Sequence, residues 1–196
     1  MTTYTFVRGL VKIFYRIAFR VRIEGESNIP KEGGAVLCCN HMSNFDPMTM
    51  AAFTKRPVRY IAKKELFQKP FFGKLLVKLG AFPVDREAAM DMKAFKTAVK
   101  LLKNNELMGI FAEGTRVKPG EEKAAKAGVA LFALKGGVPI VPIAISTTYK
   151  FRSTVLVRYG MPIYLDEYQG QKVTTELMEE ITAKVMEKVR EMKVSV

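Results

Sequence analysis

Histidine occurs once in this 196-residue sequence, at His41, and cysteine twice, at the adjacent positions Cys38 and Cys39. With one imidazole and no Cys-x-x-Cys pair, the chain lacks the ligand set of a structural or catalytic zinc site, and no metal is expected. Adjacent cysteines bridge only through a strained ring, and both lie in the apolar run 35–39. Small buried hydrophobes in a reduced, cytoplasmic compartment are expected instead. Long apolar runs are missing too. The stretch 4–21 is rich in Phe, Val, Ile and Leu but broken by Arg8, Lys12, Arg16 and Arg20, whereas a membrane-spanning helix needs about 20 mainly apolar residues. No small-residue cleavage site follows it. No repeat, low-complexity tract or linker divides the chain, so one domain is expected.

Acidic residues are scarce: 19 Asp and Glu face 32 Lys and Arg, a net charge of +13. Such an excess attracts phosphate-bearing lipid, nucleic acid or an acidic protein. No nucleic-acid motif is present and the basic residues are spread out, so nucleic acid is not an expected partner. The cations of residues 8–20 recur at every fourth position, one slowly drifting stripe on a helix. Phe6, Leu10, Ile13, Phe14, Ile17 and Val21 lie largely away from that stripe. Residues 1–22 are therefore expected to form an amphipathic helix ahead of a domain of residues 23–196. That helix either lies in a membrane interface, cations at anionic head groups, or packs on its own domain with a solvated basic face. A second basic and aromatic stretch contains Lys63, Lys64, Phe67, Lys69, Phe71, Phe72, Lys74 and Lys78. It suits a head-group layer, or else Phe67 and Phe72 pack in the core beneath solvated lysines.

After a turn-rich break at 27–34, strand-like and helix-like segments alternate. Strands are expected at 35–39, 58–62, 82–84, 107–111, 140–145 and 154–159. Helices are expected at 66–79 (interrupted by Pro70 and Gly73), 88–103, about 123–135, and 175–192. Asp46-Pro47 has the form of an N-cap followed by proline at the first helical position. The pattern is α/β: a mostly buried mixed sheet flanked by helices. Residues 41–46, 85–86 and 113–116 each follow a strand. Ligands bind beyond the carboxyl ends of strands in open α/β sheets, so the three clusters are expected to share one crevice.

An imidazole titrates near neutrality, as deprotonation of an alcohol attacking an ester or thioester requires. A carboxylate on its other nitrogen would fix the tautomer and stabilise the imidazolium, and Asp46 is close enough in sequence. Helix capping is the alternative role for Asp46, and the two are compatible. No Gly-x-Ser-x-Gly elbow surrounds Ser43, and the cysteines read as buried, so direct attack by the acceptor is simpler than an acyl-enzyme. An oxyanion would find its donors among backbone N–H groups of the loop or helix start. Taken singly, Arg86, Glu113 and Arg116 also fit surface ion pairs or a loop carboxylate.

Asn40-His41-x-Ser43-x-x-Asp46, Phe82-Pro83-Val84-Asp85-Arg86, Phe111-Ala112-Glu113-Gly114-Thr115-Arg116 and Val138-Pro139-Ile140-Val141-Pro142 occur in that order. Together they resemble the glycerolipid acyltransferase family, and within it the 1-acyl-sn-glycerol-3-phosphate acyltransferases. The four blocks span residues 40–142, with weaker similarity over nearly the whole chain. The resemblance implies that His41 takes the proton from the sn-2 hydroxyl of lysophosphatidic acid. That hydroxyl attacks the thioester of acyl-CoA or acyl-carrier protein, giving phosphatidic acid for phospholipid biosynthesis. Asp46 would orient His41, and Arg86 and Arg116 would hold the acceptor phosphate. Glu113, Gly114 and Thr115 would shape the acceptor site, Lys126 would add phosphate charge, and Pro139 and Pro142 would set a strand and loop near the acyl channel. No cofactor is implied, and the partner surface is an anionic membrane, with the protein peripheral on the cytoplasmic face of the cell membrane. Two departures stand out: Val117 replaces a small polar residue common in the family, and the amino-terminal segment is shorter than in some relatives. Glycerol 3-phosphate or another lysophospholipid is the alternative acceptor. A non-catalytic basic membrane-binding protein is the rival outside enzymology, and it would tolerate loss of His41.

Overall fold

Five apolar residues in a row, Ala35–Cys39, form the centre of the sheet, every one of them buried. The computed structural model describes residues 2–85, 87–88, 91–117, 125–168 and 170–196. In chain order its elements are α1 (Thr3–Ala18), β1 (Arg20–Glu24), β2 (Ala35–Cys39), α2 (Asp46–Phe53), β3 (Val58–Lys63), α3 (Lys64–Phe67) and α4 (Pro70–Lys78). There follow β4 (Phe82–Val84), α5 (Met92–Lys103), β5 (Leu107–Phe111), α6 (Gly128–Gly136), β6 (Ile140–Thr147), β7 (Thr154–Tyr159) and α7 (Thr175–Glu191). The strands form one seven-stranded sheet in the order β1-β7-β6-β2-β5-β3-β4. From β6 to β4 neighbours run parallel; β7 lies antiparallel on β6, and β1 parallel to β7. The sheet is mixed, as expected.

Side chains alternate across a strand, so each central strand feeds two cores. Ala35, Leu37 and Cys39 join Tyr15, Ala18 and Met50 on the side of α1 and α2. Val36 and Cys38 join Ala98, Leu102, Ala130, Ile181 and Val185 on the side of α5, α6 and α7. Each fully buried Val, Leu, Ile or Met among them stabilises the fold by about 1.5–3 kcal/mol. The same alternation points the two cysteines to opposite faces, which excludes a bridge between them.

The amino-terminal helix ends at Ala18 rather than at residue 22. Residues 20–24 alternate outward Arg20, Arg22 and Glu24 with half-buried Val21 and Ile23, a period of two that makes an edge strand. Arg20 thus leaves the basic stripe. One side of α1 is seated firmly: Tyr15 is fully buried, and Arg8 donates to the carbonyls of Thr54 and Lys55 at 3.3 and 2.7 Å. The other side exposes Phe6, Leu10, Ile13, Phe14 and Ile17. No helix among the described residues is long and apolar enough to cross a membrane.

Pro70 divides the segment 66–79 into α3 and α4, as its missing N–H requires. Gly73 does not interrupt α4; a Cβ there would lie 2.2 Å from the carbonyl oxygen of Phe67, so glycine lets the two short helices touch. The start of α5 is set by Asp91, whose carboxylate accepts from the N–H groups of Lys93 and Ala94 at 3.0 Å. α6 begins at Gly128, later than the expected residue 123, which lies outside the described residues.

Candidate active site

The loop after β2 is fastened before it reaches His41. Buried Asn40 donates from Nδ2 to the carbonyl of Ile145 at 3.0 Å and accepts the N–H of the same residue at 2.8 Å. That pair ties the loop to β6. α2 then opens with Asp46 and Pro47, but Asp46 is not its N-cap; Phe45 occupies that place. The carboxylate turns back towards the loop. Its Oδ2 accepts from the N–H groups of Met42 and Ser43, both at 2.6 Å, and lies 2.9 Å from His41 Nδ1. Its Oδ1 accepts from the hydroxyl of Tyr149 at 2.8 Å. Asp46 is fully buried, a position a carboxylate holds only when donors replace its water. With Nδ1 donating to Asp46, Nε2 is the nitrogen left for a substrate. The ring itself stacks on Phe111, centroids 4.2 Å apart at 26°.

The turn after β5 holds the backbone of the same histidine. Glu113 Oε2 accepts from His41 N–H at 2.6 Å, and Val117 N–H donates to His41 carbonyl oxygen at 2.8 Å. Burial pushes the Glu113 carboxyl above the usual glutamate range, outweighing the His41 N–H and the His41 ring that pull it down. Gly114 has φ +69°, and a Cβ on it would lie 2.8 Å from Lys126 Cε, so the lysine stem passes directly over this glycine. Lys126 N–H donates to the Ala112 carbonyl at 2.8 Å. Thr115 and Arg116 are exposed on the same turn, and Val117 is buried.

Of the residues expected from sequence, His41, Asp46, Glu113, Gly114 and Lys126 are therefore brought together at the carboxyl ends of β2 and β5. Thr115 and Arg116 adjoin them through Val117. Arg86 lies outside the described residues. Its neighbour Asp85 is held by Lys64 Nζ at 2.6 Å, a bond that keeps its carboxyl below the usual range. Sequence reasoning passed over Tyr149, Thr49 and Tyr15. The hydroxyl of Thr49 lies 2.8 Å from that of Tyr149 and 2.6 Å from that of Tyr15. A signal for Tyr149 existed, since it follows the end of β6 as His41 follows β2.

The cysteines offer no accessible nucleophile. Both are fully buried, and burial pushes the Cys38 thiol up to about 12 and that of Cys39 well upward as well.

A family model described as Acyltransferase matches residues 20–146. The 1-acyl-sn-glycerol-3-phosphate acyltransferase of Bacillus subtilis is 37% identical over 142 residues, covering 72% of this chain and 70% of the relative. The protein of the same name from Borreliella burgdorferi is 26% identical over 197 residues, covering 93% of this chain and 79% of its own. Among solved structures, the 1-acyl-sn-glycerophosphate (LPA) acyltransferase PlsC from Thermotoga maritima superposes with a TM-score of 0.76 at 25% identity, covering 96% of this chain and 79% of that one.

Proposed function

The chain belongs to the acyltransferase family, and from that premise we propose that it moves a fatty acyl group from an acyl thioester to the sn-2 hydroxyl of lysophosphatidic acid. The product is phosphatidic acid. The observation that carries the mechanism is the 2.9 Å contact of His41 Nδ1 with buried Asp46. It leaves Nε2 as a base with a fixed tautomer.

In this reading Nε2 takes the hydroxyl proton as the acceptor oxygen bonds to the thioester carbon. The tetrahedral intermediate then expels the thiolate of coenzyme A or acyl-carrier protein, and the imidazolium returns the proton to sulfur. Asp46 stabilises the imidazolium while it exists. Direct transfer is favoured because both thiols are buried and hard to ionise. Arg116 and Lys126, with Arg86, supply charge for the acceptor phosphate. Glu113 and Gly114 act through shape: one holds the His41 backbone, and the other leaves room for the lysine stem. No cofactor enters the scheme.

The substrate carries an acyl chain, so the site must meet a lipid surface. The exposed Phe6, Leu10, Ile13, Phe14 and Ile17 of α1, and Phe71 of α4 at 89% exposure, support a peripheral protein seated on an anionic bilayer. Lys69, Lys74 and Lys78 flank Phe71 and suit the head groups.

Purified protein given lysophosphatidic acid with acyl-CoA or acyl-carrier protein should form phosphatidic acid. His41→Ala should lose a factor of about 10³ or more. No product from the wild type with either donor defeats the assignment; full activity in His41→Ala removes the base. Replacing Ile13 and Ile17 by aspartate should lower binding to anionic vesicles in a flotation assay, and undiminished binding moves the lipid contact away from α1.

A further inference from the structure

We propose that Tyr149 is a positioning residue for the His41–Asp46 pair, and that a hydroxyl relay through Thr49 and Tyr15 ties α1 to the same carboxylate. The inference rests on the acyl-transfer reading above and adds to it a link between the amino-terminal helix and the proton-handling group.

Hydrogen-bond chemistry fixes the relay's first step. A carboxylate only accepts, so the Tyr149 proton points at Asp46 Oδ1 across 2.8 Å. The Tyr149 oxygen is then free to accept from Thr49, 2.8 Å away, and Thr49 in turn from Tyr15 at 2.6 Å. Tyr149 and Thr49 then each donate once and accept once, with Tyr15 at the head of the chain, an arrangement in which successive bonds polarise one another. Thr49 and Tyr15 also reach the Phe45 carbonyl, at 3.0 and 3.2 Å. Burial raises the Tyr149 phenol above its ordinary range, which keeps it a donor.

The backbone gives an independent indication. Tyr149 has φ +52°, in the left-handed region that a bulky side chain rarely adopts. The conformation is held by Tyr149 N–H donating to Thr147 Oγ1 at 3.0 Å. The ring is wedged between Phe19 at 5.8 Å and Phe45 at 5.3 Å, the first following α1 and the second in the His41–Asp46 loop. A strained backbone kept in place by its surroundings is a mark of functional sites. Here the strain aims one hydroxyl at one carboxylate oxygen. Three donors meet Oδ2, and Tyr149 meets Oδ1. Without it the carboxylate is pinned at Oδ2 alone, and its plane, which sets the aim of His41 Nδ1, loses the contact at Oδ1.

Tyr149→Phe keeps the ring and removes the hydroxyl. It should lower kcat about tenfold while KM for lysophosphatidic acid stays within about twofold. Tyr15→Phe should lower kcat about threefold, and the double variant should be no slower than Tyr149→Phe, since the relay is already cut. An active wild type with unchanged kcat in Tyr149→Phe overturns the proposal, as does a loss confined to KM. A second readout does not depend on turnover. His41 is the only histidine, so isotope labelling of histidine gives a single imidazole signal set by NMR. Tyr149→Phe should move its Nδ1 resonance; an unmoved resonance overturns the inference whether or not acyl transfer has been detected.

Discussion

On one side of the candidate site, between β2 and α2, Asp46 is wholly buried and each of its oxygens is met by donors from the loop, the imidazole or Tyr149. On the other side, beyond β5, Thr115 and Arg116 stand exposed on a turn, with the Lys126 stem crossing Gly114 beside them. In the proposed reading the two sides have different tasks. Proton transfer depends on distances set to tenths of an ångström before substrate arrives, and desolvated, multiply bonded groups keep such settings. A phosphate carries its charge over a longer range, and cations on flexible stems can order around it on binding.

That contrast can be broken by experiment. Asp46→Asn should do most damage. The amide preserves shape but inverts the hydrogen-bond pairing with Nδ1, and kcat should fall by about 10³ to 10⁴ with little change in KM. A loss mainly in KM would mean the buried side is a binding element after all. Arg116→Ala should do the reverse, raising KM for lysophosphatidic acid about tenfold with a modest effect on kcat. Unchanged acceptor affinity removes Arg116 from the phosphate site.

Glu113 spans the two sides and gives the smallest effect. Burial raises its carboxyl, so the folded state binds that proton more tightly than the unfolded chain does. The stability it adds is present below the unfolded value of about 4.5 and is lost as pH rises through the raised folded value. Glu113→Gln removes this dependence while its side-chain oxygen can still accept from His41 N–H. Melting temperatures should show the variant gaining on wild type as pH rises from about 4 towards neutrality. A difference that stays constant with pH would show that the carboxyl is not perturbed.

Much of this was legible in the sequence, for reasons that can be named. The run 35–39 is apolar on both faces and fits only a central strand, so β2 and the loop behind it were fixed together. Glu113 was picked out by position; its bond to His41 N–H was not, because contacts between strand ends depend on register. β1 was hidden because its Arg20 continued the four-residue spacing of α1, although Val21 and Ile23 carried the strand period. The sequence offers Asp46 both as a partner for His41 and as a cap before Pro47; the fold places it against His41, with Phe45 at the N-cap. Five residues of separation allow that contact, whereas the added N–H groups of Met42 and Ser43 depend on the path of the loop. Tyr149 carries only the weak signal of standing just past β6; its left-handed φ, which aims the hydroxyl, is invisible in sequence.

The pairing of β1 with β7 also orders events in time. Arg20 lies opposite Thr154, and Glu24 opposite Arg158, so in a growing chain β1 has no ladder partner until nearly the whole domain has been synthesised. Closing so long a loop is slow, and it comes after the local contacts around β2 and β3 can form. The helix ahead of β1 can already dock on α2 and the start of β3 through Arg8, Tyr15 and Tyr4, so it is the strand and not the helix that waits for β7.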